Sequence, residues 1–159
     1  MRILFVCLGN ICRSPTAEGV MRSLVREAGL EDEIELDSAG TGGWHVGSPP
    51  DARSAEAAHR RGIRLEGAAR QLTAADFDDF DLLLVMDREN HAEARRRAPD
   101  DEARRKVRFL REFDPEAAAR GDLDVPDPYY GGPRGFDDVL DLVERACRGL
   151  LAELAARPG

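Results

Sequence analysis

At 159 residues the chain has the length of one domain, with 42% hydrophobic and 34% charged residues. A net charge of −8 argues against a general nucleic-acid or anionic-membrane surface, since both call for a basic face. Cys7, Cys12 and Cys147 cannot make a disulfide framework, and His45, His59 and His91 lack zinc-ligand spacing. Lys106 is the one lysine, which leaves little room for lysine chemistry. The N-terminal apolar run is too short for a signal peptide or a membrane span, so a reducing cytoplasm is the expected compartment.

Residues 3–6 read as a short strand buried on both faces. The strand delivers Cys7 to a small loop that Arg13 and Ser14 close, and Pro15 is pre-set for the first turn of a helix. Over 16–27, Ala17, Val20, Met21, Leu24 and Val25 recur at helical spacing, and Gly29 is a plausible stop. Residues 34–38 alternate as a second strand and run into the glycine-rich stretch 39–43. Trp44 at its tip is either a core or lid aromatic or a wall facing a ligand.

Ser48-Pro49-Pro50-Asp51 is a helix-start signal for 52–61, which Gly62 ends. A short helical turn at 73–76 precedes 81–87, the clearest buried strand, whose continuous apolar run suits a parallel sheet covered on both faces. A charged helix over 88–98 stops before Pro99; the mixed charges of 95–105 read as a solvated face, and 107–110 as a fourth strand. Residues 114–134 have no regular period and hold Pro115, Pro126, Pro128 and Pro133, and a loop this long is usually functional or disordered. A final amphipathic helix spans 136–154 with Cys147 in its inner stripe.

Strands alternating with helices predict a single three-layer α/β domain over 1–159. The sheet is expected to be parallel and four-stranded, in order 2-1-3-4 with right-handed crossovers, as in flavodoxin-like folds. Ligands in such sheets lie at the carboxyl ends of the strands where the order reverses, beside the first strand. Cys7 already sits there.

The chemistry of that loop follows from its atoms. Successive amides around Gly9, at the start of a helix, make a concavity for a phosphate or another oxyanion. Arg13 adds a planar fork for two of its oxygens. A cysteine at a strand end, taken alone, is most often a small core hydrophobe. With glycine, arginine, serine and proline at these offsets, Cys7 becomes a candidate nucleophile placed under a cradled phosphate. Expulsion of an alkoxide or phenolate then calls for a general acid, and Asp114, Asp122, Asp124 and Asp127 in the long loop are the candidates. Asp127 is clamped between two prolines and followed by two tyrosines, although Asp-Pro is most often only a turn. Arg13 and the amides neutralise charge in this scheme, so neither metal nor cofactor is expected.

Cys7-x5-Arg13-Ser14, with Leu8-Gly9-Asn10-Ile11-Cys12 between them, resembles the signature of the low-molecular-weight protein-tyrosine phosphatases. The likeness continues through Asp37-Ser38-Ala39-Gly40-Thr41, Trp44, Asp87 and Asp127-Pro128-Tyr129-Tyr130, nearly the whole chain in the family's order. The resemblance implies hydrolysis of phosphotyrosine, or of aryl phosphate monoesters, through a phosphocysteine. It implies Cys7 as nucleophile, Arg13 with Leu8, Gly9, Asn10, Ile11, Cys12 and Ser14 around the phosphate, and Asp127 as acid and then base. It further implies Trp44, Tyr129 and Tyr130 as walls, Ser38 and Asn10 as braces, and Asp87 as a support for Arg13 or the loop. Ser14 is expected to donate to the Cys7 sulfur, and Cys12 to form a reversible disulfide with Cys7 on oxidation.

Phosphotyrosine proteins or peptides are the partners implied, with inorganic phosphate as product and the chain a monomer or weak dimer. The related arsenate reductases need two more redox cysteines after the third strand, which this chain lacks. Protein-arginine phosphatases share the fold and typically carry threonine where this chain has Ile11, so Ile11 tilts the reading to phosphotyrosine. A non-catalytic phosphate or phosphopeptide binder is the alternative of another class, and the presence of both nucleophile and acid speaks against it. The chain departs from the family in one place: the usual histidine before Ala69-Arg70 is missing, Gly67 standing near it.

Overall fold

The computed structural model describes residues 1–129, 132 and 134–156. Its sheet is built from β1 (Arg2–Cys7), β2 (Glu35–Gly40), β3 (Leu82–Val85) and β4 (Val107–Phe109), all parallel and ordered β2-β1-β3-β4. The expected order is therefore found, with β1 at the point where the winding reverses. Side-chain alternation along β1 decides which way the site faces. Ile3, Phe5 and Cys7 point into one core with α1 (Arg13–Glu27) and α7 (Arg134–Ala156). Leu4 and Val6 point into a second core with α4 (Arg88–Arg97) and α5 (Asp101–Lys106). The helices α2 (Ala52–His59), α3 (Asp76–Asp79) and α6 (Pro115–Arg120) complete the set.

Burial explains the strands. The first four apolar residues of β1, Ile3 to Val6, are 0% exposed, as a central strand covered on both faces requires. β2 runs two residues beyond the expected stretch, to Gly40, which pairs with Cys7. A side chain at Gly40 would come within 2.7 Å of the Leu8 carbonyl oxygen, so the glycine lets the second strand pass directly beneath the cysteine loop.

Two helices and a turn lie where no regular structure was expected. α5 occupies the charged stretch and α6 the supposed loop, while Leu110–Phe113 is a 3₁₀ turn that shortens β4 by one residue. Each helix is six residues long and buries one residue, Ala103 or Ala117, so neither carries a 3.6-residue apolar period. Their ends are instead set by side-chain caps. Asp100 accepts from the Ala103 amide at 2.8 Å, and Asp114 accepts from Glu116 at 3.1 Å with Pro115 in the first turn. α7 closes the core and passes so near the 3₁₀ turn that a Cβ on Gly149 would lie 1.8 Å from the Phe113 carbonyl oxygen.

Candidate active site

Strand β1 ends at Cys7, and α1 begins at Arg13; the five residues between them curl, with the carbonyls at both ends of the curl tied on its outer side. The Cys7 and Leu8 carbonyls accept from the Thr41 and Gly42 amides at 2.9 and 2.8 Å. The Ile11 carbonyl accepts from Asp51, and the Cys12 carbonyl from the Thr16 hydroxyl at 2.7 Å. With the carbonyls engaged outward, the peptide N–H groups of Leu8 to Cys12 are left for the concave side, and among the described residues none of them donates to a protein acceptor. Asn10 is the chain's one non-glycine residue at positive φ among those described, at 56°, and this left-handed residue turns the loop.

Behind the loop runs a buried polar network. The Asn10 amide nitrogen donates to Ser14 Oγ at 2.8 Å and to Ser38 Oγ at 2.9 Å, while its Oδ1 accepts from the Arg70 amide at 3.0 Å. That last bond fixes which way the carboxamide is turned. Because Ser14 Oγ accepts from Asn10, its own proton is available to Cys7 Sγ at 3.0 Å. Nearby, Glu18 is buried and paired with Arg22. Burial raises the Glu18 carboxyl above its ordinary range despite Ser38 and Arg22.

Arg13 is 3% exposed and held at three points. Its Nη1 donates to Asp87 Oδ2 at 2.5 Å and to the Val125 carbonyl at 3.0 Å, and Nη2 lies 3.6 Å from Asp127 Oδ2. Burial disfavours the charged guanidinium, but Cys7 and Asp87, with Asp127, hold it above its usual range. Asp87 works twice, since its other oxygen accepts from the Asn90 amide at 2.8 Å and caps α4. Asp127 Oδ1 accepts from the Tyr129 amide at 3.0 Å, which orients the carboxylate and turns Oδ2 toward Arg13.

These parts open onto one cleft of about 350 Å³. Leu8, Gly9, Ile11 and Cys12 line it with Cys7 and Arg13, while Trp44, His45, Asp127 and Tyr129 form its rim. Trp44 is 75% exposed, a wall rather than a core residue, and its ring lies across Gly42, where a Cβ would meet it at 1.9 Å. Arg53 donates to the Tyr129 carbonyl at 3.2 Å and stacks over its ring at 5.2 Å, setting the opposite wall.

The Asn10 side chain lies behind the loop, in the place expected of a brace, and the Ser14 hydroxyl lies beside the Cys7 sulfur as expected, while Asp87 hydrogen-bonds Arg13 directly. Tyr130 lies outside the described residues. Sequence reading missed His45, whose one signal was its place beside Trp44, and missed Glu18, as well as Arg70 and Arg53, whose contacts with Asn10 and Tyr129 span 60 and 76 residues.

Burial sorts the cysteines. Cys12 lines the cleft, and burial pushes its thiol up to about 12. Cys147, 0% exposed, is raised further by the same cause and faces the Ala17 carbonyl across the core. Among the described residues no three of His, Cys, Asp or Glu are grouped as metal ligands.

A profile of the family described as "Low molecular weight phosphotyrosine protein phosphatase" matches residues 2–158. A low molecular weight protein-tyrosine-phosphatase of Streptomyces coelicolor is 51% identical over 151 residues, 95% of this chain and 92% of that one. A crystal structure of protein tyrosine phosphatase from Entamoeba histolytica superposes with a TM-score of 0.91 at 38% identity, over 98% of this chain and 97% of that one. An arginine phosphatase of Drosophila superposes almost as closely, with a TM-score of 0.90 at 30% identity over 99% of this chain and 100% of that one, so the backbone alone does not separate the two specificities. With the profile covering the chain and relatives this similar along nearly their whole length, the chain belongs to the low molecular weight protein-tyrosine phosphatases, cysteine-dependent hydrolases that work through a phosphocysteine.

Proposed function

We propose that the cleft hydrolyses phosphotyrosine in proteins or peptides, with Cys7 as nucleophile, Arg13 as phosphate clamp and Asp127 as general acid. The observation that carries this is the convergence of two remote parts on one cleft: the loop from Cys7 at the end of β1 to Arg13 opening α1, and Asp127 at 3.6 Å from Arg13 Nη2. Cys7 Sγ attacks phosphorus as the bond to the leaving oxygen breaks, and Asp127 gives that oxygen its proton. Arg13 and the loop amides hold the three other phosphate oxygens, whose charge they match throughout. Water then attacks the phosphocysteine, the Asp127 carboxylate takes its proton, and the sulfur leaves with Ser14 donating to it.

Ile11, Trp44 and Tyr129 support the aryl specificity. A branched apolar side chain at the floor and aromatic walls suit a flat ring, whereas a guanidinium would lose hydrogen-bonding water against Ile11 without a replacement. Specificity constants on matched phosphotyrosine, phosphoserine and phosphoarginine peptides test this: phosphotyrosine is expected to lead, and equal or better rates on phosphoarginine overturn the assignment. Cys7→Ser is expected to abolish turnover while phosphate binding persists; near-normal turnover would sink the mechanism.

Oxidation extends the same reading. Cys12 shares the cleft wall with Cys7, whose charge adds to the burial that raises the Cys12 thiol. Peroxide converts the Cys7 thiolate to a sulfenic acid; attack by Cys12 expels water and leaves a Cys7–Cys12 disulfide that thiols reduce. Thiol reactivation after peroxide is expected in the wild type and lost in Cys12→Ser; equal recovery of both reduces Cys12 to packing. A single catalytic domain acting as a monomer or weak dimer in the cytoplasm completes the proposal; among the described residues no helix is long and apolar enough to cross a membrane.

A further inference from the structure

The segment that carries Asp127 is held by a residue the mechanism does not use. Arg111 lies in the 3₁₀ turn after β4 and is 2% exposed. Its Nη1 donates to the backbone carbonyl of Asp124 at 2.6 Å, and Asp122 Oδ1 stands 3.4 Å from the same nitrogen. One residue on, the Val125 carbonyl accepts from Arg13 Nη1 at 3.0 Å, and the Val125 amide donates to the Met86 carbonyl at 2.6 Å. Consecutive carbonyls leading to Asp127 therefore end on two buried guanidiniums, one from the phosphate loop and one from the turn after β4.

A buried arginine is costly unless paired, and Arg111 is poorly compensated. Its carboxylate partner Asp122 is 59% exposed, and its Nε is buried without a partner. Its best contact is the neutral Asp124 carbonyl. Beyond that carbonyl lie only Val125, 0% exposed, and Pro126, whose ring fixes φ, before Asp127 is reached. The connection is short and stiff enough for the position of one carbonyl to set the position of the carboxylate.

We infer that Arg111 is a positioning residue for the acid: it anchors the Asp124 carbonyl so that the Asp127 carboxyl is delivered to the leaving oxygen over the bound phosphate. The inference rests on the reading of Asp127 as the acid. Proton donation matters most when the leaving group is a strong base, so misplacing the acid has a signature that general damage to the site lacks.

The test is kcat/KM for Arg111→Met on phenyl phosphate and on p-nitrophenyl phosphate, with inhibition by inorganic phosphate measured alongside. A displacement of the acid by about 1 Å is expected to cost roughly ten- to a hundredfold on phenyl phosphate and markedly less on the nitrophenyl ester. Inhibition by phosphate is expected to hold, and in an Asp127→Asn background Arg111→Met is expected to add nothing. Unchanged rates, equal losses on the two esters, weakened inhibition, or losses that multiply in the double variant would each overturn the proposal. Arg111→Lys, which keeps a charged donor, serves if the methionine variant does not fold, and is expected to recover most of the phenyl phosphate rate; a lysine variant slowed equally on both esters overturns it too. If Asp127→Asn alone is insensitive to the leaving group, the acid assignment has failed and not the role of Arg111.

Discussion

The loop from Cys7 to Ser14 is continuous with a buried strand on one side and a fifteen-residue helix on the other. Its carbonyls are tied outward, and its one left-handed residue is pinned by three hydrogen bonds. The segment from Asp122 to Asp127 has neither strand nor helix, and takes its shape from Pro126 and from groups that reach it, the side chains of Arg13 and Arg111 and the Met86 carbonyl. One loop is built on a strand and a helix and tied at many points to the segments around it, and the other hangs on a few distant attachments. The difference teaches where each will fail: the many-tied phosphate cradle yields chiefly to loss of the residue that turns it, Asn10, whereas the acid is reached through a single distant guanidinium.

The largest effect expected on this view comes from Asp127→Asn, which removes the acid and leaves the cradle. Turnover of a basic aryl phosphate should fall by roughly two to four powers of ten with phosphate inhibition unchanged, and kinetics on a phenyl ester measure both. Full activity without Asp127 would shift the acid to another carboxylate of the same segment and break the contrast between the loops.

Asn10→Ala strikes the other loop. It removes hydrogen bonds to Ser14, Ser38 and the Arg70 amide, worth about 1–3 kcal/mol for the groups left unpaired, and forces alanine into a left-handed conformation at about 1–2 kcal/mol more. Asn10→Gly spares the second cost. Urea unfolding of the pair should differ by about 1–2 kcal/mol, with phosphate affinity weakened in both; equal stability would mean that φ at position 10 is not what turns the loop.

Gly149→Ala probes remote attachment through packing. In an unhindered helix such a change stabilises by about 0.4–1 kcal/mol, but here the new methyl meets the Phe113 carbonyl just before Asp114 and α6. Overpacking should destabilise by about 1–3 kcal/mol in urea unfolding and leave phosphate binding intact. A gain in stability would show that α7 and the turn can separate without cost.

The smallest effect is a slope. Burial raises the Glu18 carboxyl in the folded state, so its favourable contribution is full below the ordinary glutamate value of 4.5 and is lost as pH rises through the raised value. Glu18→Gln does not ionise and should flatten this loss, read from unfolding midpoints measured upward from about that pH. Parallel curves for the two proteins would mean that the Glu18 carboxyl is not raised in the folded state.

What the sequence determined by itself is whatever is encoded over short spans. The apolar run before Cys7, the glycine, arginine and serine after it and the helical period of 16–27 marked strand, loop and helix, because apolar runs, turn residues and helical periodicity are patterns of neighbouring residues. The apolar run of 82–85 and the alternation of strands with helices likewise specified the parallel sheet and its order. Capped six-residue helices were illegible, since an Asp or a Pro at one end and a single buried alanine leave no periodic trace. Which side chains serve the site was settled only by the tertiary fold. Asn10 turns inward because Ser14, Ser38 and the Arg70 amide are there to receive it, His45 reaches the cleft because the loop after β2 folds over it, and Arg111 finds the Asp124 carbonyl across the core. Such contacts depend on the three-dimensional placement of groups whose spacing along the chain carries no signal, so only packing could decide them.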